Sequence, residues 1–562
     1  MSRLDDISKR RSQLSEAKRA LLESWITGES KAPAQAQVIT RPGKHAGDEA
    51  SAIALPIIVH SPNQRYQPFP LNDIQQSYWV GRTQAFELGN VAAHVYFEAE
   101  FIHQFTDKSN DLNLERLSLA WQKLIERHEM LRAVVLPSGQ QQILEQVPPY
   151  QIEVLDLRGQ DAEAITSKLN AIRQQMSHQV LPADQWPLFE IRVTRYDDQR
   201  VRLHISIDAL IADIWSLQTL FKEWFQLYHT PELSLAPLEL SFRDYVLTEQ
   251  ALQDTELYQR SRDYWFKRLD TLPPSPDLPL ARNPGSITQP RFKRRSFQLD
   301  RQSWQQLNQR ARQAGLTPSG VVLAAFAEVL TVWSKSPKFT INLTLFNRLP
   351  LHPQVNDIFG NFTSLTLLAV DNFAADTFTA RVIRLQQQLW QDLDHRHVSA
   401  VHVLQRELSR RQGGTPRAAM PVVFTSTLGL GSFGQESSVF NHFLEVIYSI
   451  SQTPQVWLEH KVEEQDGVLV CNWDAVEELF PEGLLDDMFE AYCRFLIQLA
   501  TSDSAWLETR PQLVPPAQLK QRPAGLPKAA SARLHVALSL RGSGKSAADT
   551  QRQGKPLRSA SG

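Results

Sequence analysis

Apolar and polar residues alternate from Val201 to Ile207, and this period of two predicts a half-buried strand. Beyond Asp213 the apolar residues recur every three or four positions, which predicts an amphipathic helix. Two carboxylates, Asp208 and Asp213, therefore stand at a strand-to-helix junction, where unpaired backbone N–H groups favour an anion. Taken alone, Asp213 is interpreted as the cap of that helix. Either carboxylate needs a cationic or hydrogen-bonding partner if it is buried.

The same two periods recur in both halves of the chain. They predict helices over Asn113–Ile125, Gln302–Ala314, Phe378–Asp394 and Pro481–Leu499, and a helix that starts with Thr317 as N-cap and Pro318 as first residue. They predict strands over Leu131–Leu136, Arg295–Leu299, Phe339–Phe346, Val422–Thr427, Gln455–Leu458 and Val468–Trp473. Strands and helices mixed in both halves predict an α/β (α+β) protein of two related lobes, each a sheet covered by helices.

Changes in composition divide the chain into four parts. Residues 1–63 combine an amphipathic helix with a linker rich in Ala, Gln, Pro and Gly, and we interpret them as a docking or interdomain element. A proline-dense stretch between Thr271 and Pro290 can continue neither a helix nor an inner strand, so it separates a first lobe (64–272) from a second lobe (273–512). The remainder, 513–562, ends in a basic stretch of Ala, Ser, Gly and Pro that we expect to be disordered.

The overall composition is that of an ordinary globular protein, with 562 residues, 42% of them hydrophobic, 21% charged and a net charge of −2. This balance favours neither nucleic acid nor a membrane surface as a partner. Because no signal peptide or membrane-length apolar run is present in the sequence, we expect a cytoplasmic protein, and a monomeric one. Cys471 and Cys493 fit no metal motif, so we expect two buried core thiols and no metal site.

A set of short motifs stands in one order along the chain: Phe69–Arg82, Arg127–Arg132, Asp208 with Asp213 and Ser216, Thr317–Phe326, Thr344–Arg348, Gly360–Ser364, Pro421–Ser426, Ser451–Leu458 and Asn472–Asp474. Together they resemble the heterocyclization domain of nonribosomal peptide synthetases, a branch of the condensation-domain superfamily. The resemblance runs from about Phe69 to about Gln521. It implies two chloramphenicol-acetyltransferase-like lobes that form a V-shaped pseudo-dimer, with the reaction in a central tunnel.

Ordinary condensation domains carry His-His-x-x-x-Asp-Gly where this chain has Asp208 to Asp213, and this replacement is the signature of heterocyclization. The resemblance implies that Asp213 is structural and pairs with Arg348 across the lobes, since either charge would be costly alone in the interior. It implies that Asp208 shapes the tunnel and belongs with the catalytic residues. Ser216 is expected to support the Asp pair, and Asn347 to bond either the substrate or its own strand.

The resemblance implies two reactions on substrates carried by the phosphopantetheine of upstream and downstream carrier domains. The amine of a cysteinyl, seryl or threonyl thioester first attacks an acyl thioester to form an amide. The side-chain thiol or hydroxyl then attacks the amide carbonyl, and loss of water yields a thiazoline or oxazoline, as in siderophores and other secondary metabolites. This second step needs one group to take a proton and one to donate it. The resemblance assigns these tasks to Thr425 and to the position of Glu459, without a bound cofactor.

Two residues depart from the family pattern. Glu459 stands where the family has Asp, and Asn361 where it usually has the Asp of Gly-Asp. Because a misplacement of about 1 Å can lower a rate about a hundredfold, either the site tolerates the longer Glu459 or the domain forms amides and cyclizes poorly. We predict weakened cyclization, which Glu459→Asp would correct. Two alternatives stay open: a condensation-only enzyme, and an inactive remnant that only docks carriers.

The end of the sequence supplies a further hypothesis. Leu513–Gln521 is similar to the start of the linker that usually leads to an adenylation domain, and the composition then changes abruptly. A frameshift would explain this change, in which case adenylation is either lost or supplied by a partner protein. The sequence leaves the acyl donor, the choice among Cys, Ser and Thr, and the final product open.

Overall fold

The structure is a computed structural model that describes residues 56–84, 86–101, 112–197, 200–404, 420–428 and 444–514. The helix expected within residues 3–26 and the basic tail beyond Arg522 lie outside the described residues.

Strands and helices alternate through both halves of the described chain. The strands are β1 (Phe69–Pro70), β2 (His94–Phe101), β3 (Ala133–Val135), β4 (Gln140–Ile143), β5 (Glu153–Asp156), β6 (Phe189–Arg195), β7 (Val201–Asp208), β8 (Phe292–Leu299), β9 (Lys338–Phe346), β10 (Thr363–Asp371), β11 (Val422–Ser426), β12 (Leu444–Gln452), β13 (Leu458–Gln465) and β14 (Val468–Val476). The helices are α1 (Asp73–Gly81), α2 (Leu114–Arg127), α3 (Ala162–Met176), α4 (Ile214–His229), α5 (Phe242–Ala251), α6 (Glu256–Arg268), α7 (Arg301–Gln313), α8 (Pro318–Trp333), α9 (Phe378–Asp394), α10 (Leu484–Thr501) and α11 (Asp503–Leu507).

Two large sheets form the two lobes, which confirms the predicted architecture. The first lobe contains a five-stranded sheet in the order β12-β2-β7-β6-β5, and the second a six-stranded sheet in the order β10-β9-β11-β13-β14-β8. A small sheet, β1-β4-β3, belongs to the first half of the chain. Each lobe has its own apolar core, with Trp121 and Trp224 at the centre of the first and Phe326 within the second.

The second half of the chain contributes to the first lobe. Strand β12 leaves the second lobe and pairs antiparallel with β2, from Leu444 opposite Phe101 to Gln452 opposite His94. The loop between β9 and β10 adds apolar side chains such as Leu349 and Phe359 to the core of the first lobe. The lobes are therefore interlocked, and the proline-rich boundary predicted near Thr271 does not separate all of their contacts.

The helix starts that the sequence predicts best are those marked by an N-cap residue. Asp213 caps α4 by accepting a hydrogen bond from the backbone N–H of Ser216 at 2.7 Å, as the first interpretation of that residue predicts. Thr317 caps α8 in the same way, with Pro318 as the first helical residue. Most of α8 is buried, so this helix is stabilised both by its N-cap and by the packing of its apolar side chains.

Three predictions need correction. The strand predicted over Gln455–Leu458 is a turn, in which Gln455 has a φ of 66°, and the strand starts only at Leu458. Leu131–Leu136 begins as a 3-10 turn over Glu129–Arg132, and only Ala133–Val135 is extended. Cys471 is buried as expected, but Cys493 is only partly buried.

Within the described ranges, no single helix has the length and apolar character needed to cross a membrane. The pair α7 and α8 meets these criteria only when taken together, and the two helices meet at an angle of 99°. Among the described residues, no group of three or more His, Cys, Asp or Glu side chains is arranged to hold a metal ion.

Candidate active site between the two lobes

A cavity of about 1110 Å³ lies between the two lobes. The first lobe supplies side chains from β2 and from the start of α4, and the second supplies side chains from β9, β11, β13 and β14. Strand β12, which joins the two lobes, also lines the cavity. This volume lies slightly above the range usual for small-molecule sites.

Thr425 and Glu459 meet on the wall of this cavity. They belong to β11 and β13, which are parallel neighbours with Val423 opposite Glu459. Because side chains two positions apart on a strand share a face, Thr425 and Glu459 point to the same side. The Oγ1 of Thr425 lies 3.1 Å from Oε1 of Glu459, and the two residues are only 9% and 8% exposed. The structure thus brings together the two residues to which the resemblance assigned proton transfer.

Hydroxyl groups extend this contact in both directions. Oγ1 of Thr344 lies 2.8 Å from Oγ1 of Thr425, and Oγ of Ser451 lies 3.2 Å from Oε2 of Glu459. The ammonium of Lys461 lies 3.6 Å from the same Oε2 and also donates to Ser451. The carboxylate of Glu459 is therefore in contact only with side-chain O–H and N–H groups that can exchange protons, among the contacts that the structure describes.

A second carboxylate, Asp474, lies behind Ser451. Its Oδ2 accepts a hydrogen bond from Ser451 at 2.9 Å, and Arg294 binds both of its oxygens, at 2.7 and 2.5 Å. Burial opposes the ionisation of Asp474, but Arg294 outweighs this effect and lowers the pKa of the carboxyl group. Asp474 is therefore a fixed anion that orients Ser451.

Tyr78 faces the cavity from α1. Burial, together with the nearby charges of Glu459 and Asp213, raises the pKa of its phenol. Tyr78 is thus a neutral O–H group on the wall of the cavity.

Asp213 forms a joint between the lobes. Arg348 contacts its Oδ1 at 3.1 Å, so the pairing implied by the resemblance is present. The backbone N–H of Phe362 donates to its Oδ2 at 3.1 Å. Ser216 accepts a hydrogen bond from Arg348 at 2.8 Å and donates to the carbonyl of Gly360 at 2.7 Å. These contacts connect α4 to the loop between β9 and β10. We call the cluster of Asp213, Ser216 and Arg348 the joint.

Asp208 has a different partner. Arg82, at the end of α1, forms a buried ion pair with its Oδ2, and the backbone N–H of Leu210 donates to its Oδ1 at 2.9 Å. Among the described residues, Asp208 is not one of those that line the cavity. The catalytic role implied for Asp208 therefore remains a prediction.

Asn347 and Asn361 both lie near the joint. The backbone carbonyl of Asn347 accepts a hydrogen bond from Tyr245 at 3.0 Å, and its N–H donates to Phe362 at 3.0 Å, so its backbone is tied to neighbouring elements. The side-chain amide of Asn361 donates to the carbonyl of Ala209, and its Oδ1 accepts from Thr363 at 2.9 Å. A carboxylate could not donate to Ala209, so the amide suits this position.

Sequence reasoning gave no role to two charged residues at this site, Lys461 and Arg294. A signal for Lys461 was present, because it follows Glu459 by two positions, and side chains at this spacing on a strand share a face. Arg294 gave no comparable signal, since its partner Asp474 is 180 residues away. His128 is the C-cap of α2, and its Nε2 contacts Oε2 of Glu223 at 2.7 Å.

Comparison with known proteins agrees with this geometry. The family model described as the condensation domain matches residues 67–521. A solved structure of the cyclization-docking bidomain of the nonribosomal peptide synthetase EpoB from Sorangium cellulosum is 43% identical, with a TM-score of 0.73, and covers 80% of this chain and 88% of that one. The chain therefore belongs to the condensation-domain family, with the two-lobe fold of that family, and its similarity to EpoB places it in the heterocyclization branch.

Two curated relatives are considerably longer than the region that they share with this chain. Pyochelin synthetase PchF from Pseudomonas aeruginosa is 41% identical over 463 residues, which cover 82% of this chain and 25% of the relative. Phenyloxazoline synthase MbtB from Mycolicibacterium paratuberculosis is 37% identical over 469 residues, covering 82% of this chain and 38% of the relative. This chain thus spans about a quarter to two fifths of the length of these two relatives.

Proposed function

We propose that this domain joins an acyl or peptidyl thioester to a cysteinyl, seryl or threonyl thioester and then closes the product to a thiazoline or oxazoline. The observation that carries this proposal is the contact of 3.1 Å between Thr425 and Glu459 on the wall of a cavity that opens between two lobes. The names of the relatives, a phenyloxazoline synthase among them, support ring closure as the second step.

In the first step, the acceptor amine attacks the donor thioester. A C–N bond forms, the C–S bond breaks, and the donor carrier leaves as a thiol. Neither Thr425 nor Glu459 needs to change its protonation state overall, because the amine proton ends on the departing sulfur. The cavity contributes here by holding both thioesters in one place, which makes the reaction effectively unimolecular.

In the second step, the acceptor's side-chain sulfur or oxygen attacks the amide carbon. Glu459 takes the proton of this nucleophile and passes it to the carbonyl oxygen, which Thr425 hydrogen-bonds and which thereby becomes a hydroxyl. Glu459 then takes the amide N–H proton and delivers it to that hydroxyl, so that the C–O bond breaks and water leaves as the C=N bond of the ring forms. One carboxyl group that alternates between base and acid is sufficient for this sequence.

The contacts of Glu459 support the alternative that the site tolerates the longer side chain. Its two oxygens reach Thr425 and Ser451 at 3.1 and 3.2 Å, so the extra methylene is accommodated without loss of either contact. The weakened cyclization predicted from the sequence remains a prediction, which the Glu459→Asp variant described below addresses.

The partners follow from this chemistry. We propose that carrier domains deliver both substrates on phosphopantetheine arms, that the domain itself binds no cofactor, and that it acts in the cytoplasm as a monomer. Adenylation of the acceptor amino acid would come from another domain or protein.

The test is reconstitution of the purified chain with two carrier proteins, one loaded with an acyl group and the other with Cys, Ser or Thr. We expect a product whose mass equals that of the amide less one water, with the three acceptors compared side by side. The amide alone would identify a condensation-only enzyme. Unchanged substrates, with carrier binding retained, would identify a docking remnant.

A further inference from the structure

Lys461 is the cation nearest to the carboxylate of Glu459 among the contacts described for it. The two residues are separated by one position on β13, so their side chains extend from the same face of the strand into the cavity. The Nζ of Lys461 lies 3.6 Å from Oε2 of Glu459 and donates a hydrogen bond to Ser451. The side chain of Lys461 is 29% exposed, so this contact is partly shielded from water.

The two oxygens of Glu459 have separate partners. Oε1 faces Thr425, whereas Oε2 faces Ser451 and Lys461. A carboxylate held through one oxygen by a charged donor cannot rotate freely, so its other oxygen keeps a fixed direction. This matters more for Glu than for Asp, because the longer side chain has one more rotatable bond to restrain.

Lys461 lies near other charged residues, which affect how the carboxylate of Glu459 is held. Glu463 lies two positions further along the same strand, and Asp474 lies behind Ser451. Arg294 directs Nε and Nη2 towards Asp474, at 2.7 and 2.5 Å. Without the ammonium of Lys461, the Oε2 of Glu459 would be held only by the hydroxyl of Ser451, which also contacts the carboxylate of Asp474.

We propose that Lys461 is a positioning residue for ring closure: its ammonium, together with Ser451, holds the outer oxygen of Glu459 so that the inner oxygen meets Thr425. This inference rests on the proposed function and assigns Lys461 to the cyclization step alone. Condensation does not use the contact and should proceed without it.

The test compares Lys461→Met, which keeps the length but removes the charge, with Lys461→Arg, which keeps the charge. In the reconstituted system with two loaded carriers, we expect Lys461→Met to lower the rate of ring closure by about 10- to 100-fold, in line with the effect of misplacing a catalytic group by about 1 Å. The amide should form at the wild-type rate. Lys461→Arg should recover most of the ring closure.

Lys335→Met is the matched control, because Lys335 pairs with Asp277 on an exposed surface at 2.9 Å and is not among the cavity-lining residues described. It should leave both steps unchanged. The inference is overturned if Lys461→Met closes the ring as fast as the wild type, if Lys461→Arg does not recover closure, or if Lys461→Met slows both steps equally, which would show a structural role. A wild-type protein that forms no ring at all overturns the proposed function itself, and this inference with it.

Discussion

Two buried carboxylates, Asp213 and Glu459, have opposite kinds of partners. Asp213 is bound by the backbone N–H groups of Ser216 and Phe362 and by the guanidinium of Arg348. These donors fix the position of the carboxylate between the two lobes. Glu459 is bound by two hydroxyls and an ammonium, on the wall of the cavity. Both carboxylates are buried, so the type of donor around each one is what separates the structural contacts of Asp213 from the proton-transfer role proposed for Glu459.

The largest expected effect concerns the joint. Arg348→Met removes the cation that pairs with Asp213 and leaves a buried carboxylate, so we expect a loss of about 3–5 kcal/mol in the free energy of unfolding. Urea denaturation of the purified chain measures this. The matched exposed variant Arg282→Met, whose partner is Glu478 at the surface, should change stability by less than about 1 kcal/mol. Equal stabilities of Arg348→Met and wild type would contradict the structural role of the joint.

The next largest effect is expected at Thr425 and Glu459, the two residues proposed to take part in proton transfer. Thr425→Val keeps the shape of the side chain but removes its hydroxyl, so we expect ring closure to slow roughly 100-fold while amide formation continues. Mass spectrometry of the released products distinguishes the two. Thr248→Val is the matched control, since the Thr248 hydroxyl bonds the backbone carbonyl of Asp244 at 2.8 Å and Thr248 is not among the cavity-lining residues described. If Thr425→Val cyclizes normally, the hydroxyl has no part in proton transfer.

A smaller effect, on the pH dependence of stability, is expected from two buried histidines, one beside Asp208 and one beside Glu459. His94 lies opposite Asp208 in the β2–β7 ladder, and His460 follows Glu459 on β13. Burial lowers the pKa of His94 to about 4 and that of His460 to about 3. In the unfolded chain the pKa of His is about 6.5, so below pH 6.5 the unfolded state binds more protons than the folded state. The stability contributed by the neutral imidazoles is therefore present above pH 6.5 and is lost as the pH falls.

We expect each of these histidines to cost about 2 kcal/mol of stability on going from pH 7 to pH 5. His460→Phe should flatten the acid side of the stability curve by that amount, because Phe suits the aromatic surroundings of His460 and cannot be protonated. Urea denaturation at a series of pH values provides the measurement. Parallel curves for the variant and the wild type would show that His460 does not control the acid response.

The smallest effect is expected when the side chain at position 459 is shortened by the substitution Glu459→Asp. Asp at this position would withdraw the carboxylate from both Thr425 and Ser451, so the contacts seen here lead us to expect a several-fold decrease in ring closure with unchanged amide yield. The interpretation from sequence predicts the opposite, an increase in heterocycle yield. The ratio of heterocycle to amide decides between the two, and Glu478→Asp serves as the control, because Glu478 pairs with Arg282 at the surface and is not among the cavity-lining residues described.

Local patterns made a large part of the fold predictable. The β7 strand, the caps Asp213 and Thr317, and the helices on either side of the boundary follow from residues within a few positions of one another. Strand β13 was placed too early, because Gln455 adopts a positive φ of 66° in a turn and the strand starts only at Leu458. The polar face of this strand borders a cavity, where polar residues serve the site.

Long-range pairing could not be predicted from the sequence alone. The partner of Asp208 is Arg82, 126 residues earlier in the chain, and no periodicity connects the two. Thr425 and Glu459 lie close together because β11 and β13 are parallel neighbours in one sheet. The strand between them in the chain, β12, belongs to the other sheet, so the order of strands along the sequence does not reveal this pairing. The resemblance named both residues, but only the sheet order brings them together.

The return of β12 to the first sheet has a consequence for protein engineering. If the gene were divided at the proline-rich boundary and the two halves produced separately, the amino-terminal fragment would lack its outermost strand, and β2 would expose unpaired backbone N–H and C=O groups along its length. Such an edge promotes aggregation. Exchanges between synthetases that aim to alter which amino acid is cyclized should therefore transfer both lobes as one block.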